Sequence, residues 1–135
     1  MNKRKILVID DDLQFGKLTR LNLEQTGFFD VSIENDSTKA IDTAREFKPD
    51  LILLDIVMPG LDGGDVERLL KEDAMLKDVP ILVVSAIVSE ADLPPGGDGG
   101  KTVGDDFMVP KTINPSLLIE IIESRLGGGG GESAA

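Results

Sequence analysis

Three short runs constrain this chain more than anything else in it. Ile6–Ile9 (ILVI), Leu51–Leu54 (LILL) and Ile81–Val84 (ILVV) are apolar at every position, and each gives way at once to polar residues. A strand with one face in water alternates apolar with polar, so an unbroken run is one buried on both faces, as in the middle of a parallel sheet covered by helices. The residues delivered at the carboxyl ends are Asp10, Asp11 and Asp12 after the first run, Asp55 after the second, and Ser85 and Ala86 after the third. Three central strands therefore carry polar groups to one end.

The intervening segments supply the helices. Phe15, Leu18 and Leu21 or Asn22 recur at helical spacing, with Gly27 as a stop. Asp36 or Ser37 caps a second helix whose Ala40, Ile41, Ala44 and Phe47 share a face, and Pro49 closes it. A third helix runs from about Gly64 to Ala74 with Val66, Leu69, Leu70 and Ala74 inward. Asn114 as cap and Pro115 in the first turn open the last helix, with Leu117, Leu118, Ile121 and Ile122 facing the core and Gly127 ending it. Two further strands complete the set. Phe29, Val31 and Ile33 alternate with Asp30, Ser32 and Glu34, which marks an edge strand, and Asp106–Pro110 is limited by its proline to an edge or a strand end.

Strands alternating with helices predict an α/β fold: a doubly wound, five-stranded parallel sheet of order 2-1-3-4-5. Ala91–Gly104 holds Pro94, Pro95 and a cluster of glycines, so it reads as a loop, with the expected fourth helix absent or replaced by it. Residues 1–126 form one predicted domain, and 127–135 a flexible Gly-rich tail.

Composition narrows the chemistry. The 135 residues include no histidine and no cysteine, which removes imidazole and thiolate as nucleophile, base or metal ligand. The net charge of -11 argues against a nucleic-acid surface in this chain, because such surfaces neutralise phosphates. No apolar run is long enough to cross a bilayer, and the basic start is followed by too few apolar residues for a signal peptide. The expected location is the cytoplasm, with no membrane contact.

In the 2-1-3-4-5 order the ligand site lies beyond the strands' carboxyl ends, between strands one and three. Asp10, Asp11, Asp55 and Ser85 are predicted to converge there. Carboxylates about 4 Å apart repel by about 4 kcal/mol per pair at an effective dielectric near 20, so the cluster needs a raised pKa, a lysine or a cation. An all-oxygen ligand set suits a hard divalent ion, Mg2+ above all. A carboxylate beside such an ion can attack a phosphoryl group and become an aspartyl phosphate.

The motifs KILVIDDD, LILLDIVMPGLDG and ILVVSA, in this order and spacing, resemble the receiver domain of two-component response regulators, and the resemblance covers Lys3 to about Leu126. It implies that Asp55 is the phosphoacceptor and that Asp10, Asp11, Asp55 and the backbone carbonyl of Val57 hold Mg2+. It implies phosphate-contacting or switch positions at Ser85, Ala86, Lys111 and Phe107, the last passing to Met108 if the register slips, with Asp12 left as a helix cap. The implied function is a phosphorelay signalling module rather than an enzyme, one that catalyses only its own phosphorylation and dephosphorylation, the latter expected to be slow because Val57 and Ile87 are apolar where polar side chains in the family help orient the hydrolytic water. Its implied donor is a histidine kinase or histidine phosphotransfer protein, and a downstream protein is its target. Two departures stand out: Pro110 precedes Lys111 where the family has lysine before proline, and Ala91–Gly104 falls where the family has its fourth helix.

Two other readings compete. A receiver-like interaction module not regulated by phosphorylation would keep the acids and use them only in protein contacts. A small phosphatase of the haloacid dehalogenase type would use Asp10 and Asp12 as its D-x-D pair, which leaves Asp55 without a role. The stretch PGGDGGKT lacks the first glycine of a phosphate loop and carries Asp98 inside it, so it reads as an insertion.

Overall fold

The computed structural model describes residues 3–56, 63–86, 101–103 and 106–127. Its sheet begins with β1 (Arg4–Ile9), which pairs in parallel with β2 (Phe29–Glu34) on one side and β3 (Leu51–Asp55) on the other. β4 (Ile81–Ser85) follows β3, and β6 (Asp106–Pro110) follows β4, both parallel. These five strands have the expected 2-1-3-4-5 arrangement. A sixth, β5 (Lys101–Val103), pairs antiparallel with β6, so the full order is β2-β1-β3-β4-β6-β5.

β5 corrects two expectations at once. Residues 101–103 are strand, not loop, and β6 is flanked on both sides instead of forming the edge. The sequence did carry a sign of this, since Thr102 and Val103 favour strands and the Gly104-Asp105 pair before β6 has the length of a tight hairpin connection. Residues 87–100, on which the reading of a missing fourth helix falls, lie outside the described residues. β2 is an edge, as its alternation predicts.

The central strands are apolar throughout because both faces are covered. Ile6, Val8, Leu51, Leu53, Leu82 and Val84 point to the side of α1 (Leu13–Glu24) and α4 (Pro115–Gly127), where Leu23, Leu118 and Ile122 meet them. Their neighbours Leu7, Ile9, Ile52 and Leu54 point to the opposite side, against Ala40 and Ala44 of α2 (Ala40–Phe47) and Val66 and Leu70 of α3 (Gly63–Glu72). The period of two along a strand thus builds two cores on one sheet.

Local signals place the helix ends. Asp12 Oδ1 accepts hydrogen bonds from the backbone N–H groups of Gln14 and Phe15 and caps α1. Asp36 caps a single 3-10 turn, Ser37–Lys39, that leads into α2. α2 ends at Lys48 in the left-handed conformation (φ 55°), just before Pro49. Asn114 Oδ1 accepts from Ser116 N at 2.8 Å, and Pro115 is the first residue of α4, as expected.

α1 is rotated from its predicted face. Leu18 and Leu21 are 57% and 55% exposed, while Gly16, Thr19 and Leu23 are buried and Phe15 packs on the core margin. The reason is steric: a Cβ on Gly16 would lie 3.0 Å from Ile33 Cγ2, so the helix backs onto β2 through its glycine and turns its leucines outward.

Candidate functional site

The site stands at the carboxyl ends of β1, β3 and β4. Asp10 follows β1 directly and is 1% exposed, its backbone N–H donating to Glu34 O of β2 at 3.1 Å. Asp55 closes β3 in register with Val84 of β4 and is 3% exposed. Asp11 is exposed. Carboxylate oxygens of Asp10, Asp11 and Asp55 all lie within 4.8 Å of one another.

The backbone holds Asp55 in place from behind. Ile56 N donates to Val84 O at 3.3 Å, and Gly63 N donates to Ile56 O at 3.0 Å, so the start of α3 is tied to the residue after the acid. A Cβ on Gly63 would fall 2.3 Å from Ile56 Cα and 2.5 Å from Asp55 O. Only glycine lets α3 come that close, a requirement that spacing in the sequence did not reveal.

Lys111 enters from the turn after β6. Its backbone N–H donates to Ser85 O at 3.0 Å, and Pro110 is in register with Ser85. The ammonium lies 3.1 Å from Asp10 Oδ1 and 3.3 Å from Asp55 Oδ2. The Pro110-Lys111 order is therefore compatible with a lysine at the acids, because the backbone bond to Ser85 directs the chain there.

Charge in the cluster does not balance. Three carboxylates and one ammonium leave an excess of negative charge. Asp10 responds with a carboxyl pKa raised from 3.8 to about 6, driven first by burial and also by the charge of Asp55, against the lowering effects of Lys111 and the Asp12 N–H. Burial opposes the charge on Lys111, yet its contacts with Asp10 and Asp55 together raise its pKa. Asp10 Oδ2 lies 2.9 Å from Lys111 Nζ, but no donor among the described residues is aligned to hydrogen-bond it. A buried carboxylate oxygen without a hydrogen-bond donor, amid an all-oxygen set, fits a hard divalent cation.

The remaining predicted positions are spread around this point. Ser85 ends β4 and is buried, while Ala86 is exposed. Phe107 lies on β6 with the Arg125 guanidinium 4.6 Å from its ring centroid, so its aromatic contact is with α4. Val57 lies outside the described residues. Asp12 turns to its helix-capping role. One residue read only as core also reaches the site: the Phe15 ring centroid is 5.1 Å from Lys111 Nζ. Its place three residues past the Asp12 cap, on the first turn of the helix that leaves the acids, is the signal that could have singled it out.

The family described as response regulator receiver domain matches residues 6–123. The chain is 35% identical over 124 residues to the DNA-binding response regulator MtrA of Mycobacterium tuberculosis, covering 92% of this chain and 51% of that protein. It is 32% identical over 124 residues to the polar-differentiation response regulator DivK of Brucella anthropi, covering 92% and 97%. It spans about half the length of MtrA and nearly all of DivK. Among solved structures, the chemotaxis protein CheY4 of Vibrio cholerae superposes with a TM-score of 0.75 at 23% identity, covering 92% of this chain and 99% of that one. The BeF3-activated receiver domain of Klebsiella pneumoniae RstA gives 0.72 at 28%, covering 91% and 98%.

Proposed function

This chain belongs to the response regulator receiver family, and from that premise we propose that it accepts a phosphoryl group on Asp55. One observation carries the proposal: the Asp55 carboxylate sits at the end of a central strand, with the Lys111 ammonium 3.3 Å away and the Asp10 and Asp11 carboxylates beside it. In the transfer, an Asp55 oxygen attacks phosphorus while the bond to the donor's nitrogen or oxygen breaks, and the leaving group takes the electron pair and a proton. Lys111 neutralises charge that collects on the phosphoryl oxygens, and the Ser85 hydroxyl and the Ala86 backbone complete the contacts. Asp10, Asp11 and Asp55, with the Val57 carbonyl, would hold Mg2+, which supplies further charge neutralisation. Phe107 is the aromatic position whose packing would follow the state of the site.

With no histidine of its own, the chain needs an outside donor, a histidine kinase or a histidine phosphotransfer protein. We place the receiver unit at residues 1–126, with 127–135 as an appended tail, in the cytoplasm and without membrane or nucleic-acid contact of its own. Its output is a change in contacts with a downstream protein. Chemistry beyond its own phosphorylation and slow dephosphorylation is not assigned to it.

The test is labelling by a small acyl phosphate with Mg2+, read as one added phosphoryl group by intact mass. Wild type should label and Asp55→Asn should not. Labelling that survives in Asp55→Asn but is lost in Asp10→Asn would instead support the phosphatase reading.

A further inference from the structure

Lys111 stands between the acids and a groove that α1 and α4 leave on the same side of the sheet, lined by Phe15, Thr19, Leu23, Ile113 and Leu118. Its side chain is 17% exposed. Two carboxylates attract the ammonium, but a flexible four-carbon stem can follow that attraction along many paths. The Phe15 ring supplies what the acids do not. At 5.1 Å from the centroid, the ammonium is within the range in which a ring face attracts a cation, and the ring is one of the surfaces that shields it from water. Phe15 is itself fixed, because Asp12 caps its backbone N–H at 3.2 Å and the ring packs on the core margin. The same capped turn that begins at the acids thus carries the ring that faces the lysine.

We propose that Phe15 is a positioning residue for Lys111. Its ring holds the ammonium over Asp10 and Asp55, where it meets a phosphoryl oxygen on Asp55 and also competes with a divalent cation for the same two carboxylates. The first half rests on the phosphoacceptor reading above, and the second half does not.

The two halves predict effects of opposite sign when the ring is removed. A lysine free to leave the acids serves the phosphoryl group less well, so labelling slows. It also competes less for the carboxylates, so Mg2+ binds more tightly. Damage to the fold would weaken both together.

The experiment uses the full chain as wild type, Phe15→Leu, Phe15→Met, Phe15→Tyr, Lys111→Gln and Phe15→Leu/Lys111→Gln, with circular dichroism to confirm folding. Mg2+ affinity is measured by calorimetry without a phosphodonor, and labelling by a small acyl phosphate at saturating Mg2+. Loss of the ring in Phe15→Leu or Phe15→Met should tighten Mg2+ binding about threefold or more and slow labelling by a similar factor, as expected for an ordinary ring–cation contact. Phe15→Tyr keeps the ring and should restore both values, and Phe15→Leu should change nothing further once Lys111 is glutamine. Mg2+ affinity that is unchanged or weaker in folded Phe15→Leu and Phe15→Met overturns the proposal, as does a full effect that persists without Lys111. If wild type never labels on Asp55, the phosphoacceptor reading fails, and the Mg2+ measurements alone support or overturn the role of Phe15.

Discussion

Asp10 is the residue at which burial and charge conflict most directly. Its pKa of about 6 lies above the ordinary 3.8, so the folded chain holds this proton more tightly than the unfolded chain does. Stability must then fall as pH rises between about 4 and 6, because the folded state gives up stabilising proton uptake over that interval. Asp36 and Asp73 are shifted the other way, by hydrogen bonds from Thr38 and Arg45 respectively, so their contributions are lost only as pH drops through values below 3.8. Of these three acids, only Asp10 acts in the interval above 4. In chelator, urea unfolding should show wild type more stable at pH 5 than at pH 7. Asp10→Asn should exceed wild type by ~1–3 kcal/mol at pH 7, a gain that shrinks toward pH 4. An Asp10→Asn chain as pH-sensitive as wild type would remove Asp10 as the cause.

At the scale of elements, glycines decide how closely helices approach the sheet. Gly16 lets α1 settle on Ile33, which turns Leu18 and Leu21 to solvent against the expectation from spacing. Gly63 lets α3 start against the end of β3, with backbone atoms 2.3 to 2.8 Å from where a Cβ would sit. Those neighbours are backbone and cannot rotate away. Gly63→Ala should destabilise the fold by about 3 kcal/mol or more, at the upper end of overpacking costs. The same change should slow phosphodonor labelling, because Asp55 and Ile56 must move. The urea midpoint and the labelling rate measured on one sample check both, and a variant within 1 kcal/mol of wild type, roughly an ordinary surface change, contradicts the account. α1 was legible as a helix from Asp12 onward, but its buried side was not, since three apolar residues at helical spacing say nothing of where a glycine must pack. β5 was not legible because the prolines and glycines before it outweigh the signal of a three-residue strand with a short hairpin connection.

For the whole molecule, the governing feature is one sheet with two cores. Leu70 is buried among α2 and α3, and Ile122 among α1 and α4, on opposite faces. Each truncation to alanine should cost about 2–5 kcal/mol. The two costs should add to within about 0.5 kcal/mol, because the residues share no cluster, and unfolding should stay a single transition, because both cores rest on the same strands. Two separate urea transitions in either variant would mean the faces unfold independently.

Taken alone, the sequence determined the alternation of strands and helices, the parallel order of five strands, and the delivery of Asp10, Asp11 and Asp55 to one end of the sheet. These follow from local pattern, since runs apolar on both faces can only be internal and their last residues must emerge together. The family was legible from the motifs KILVIDDD, LILLDIVMPGLDG and ILVVSA, which resemble its own in identity, order and spacing. The tertiary structure alone decided that Lys111 reaches Asp10 and Asp55 from a reversed Pro110-Lys111 pair, that Phe15 faces that lysine, and that Gly16 and Gly63 set two helix approaches. Each is a contact between residues far apart in the chain or a limit on how close two elements can come. Such distances are set by packing, which no periodicity records.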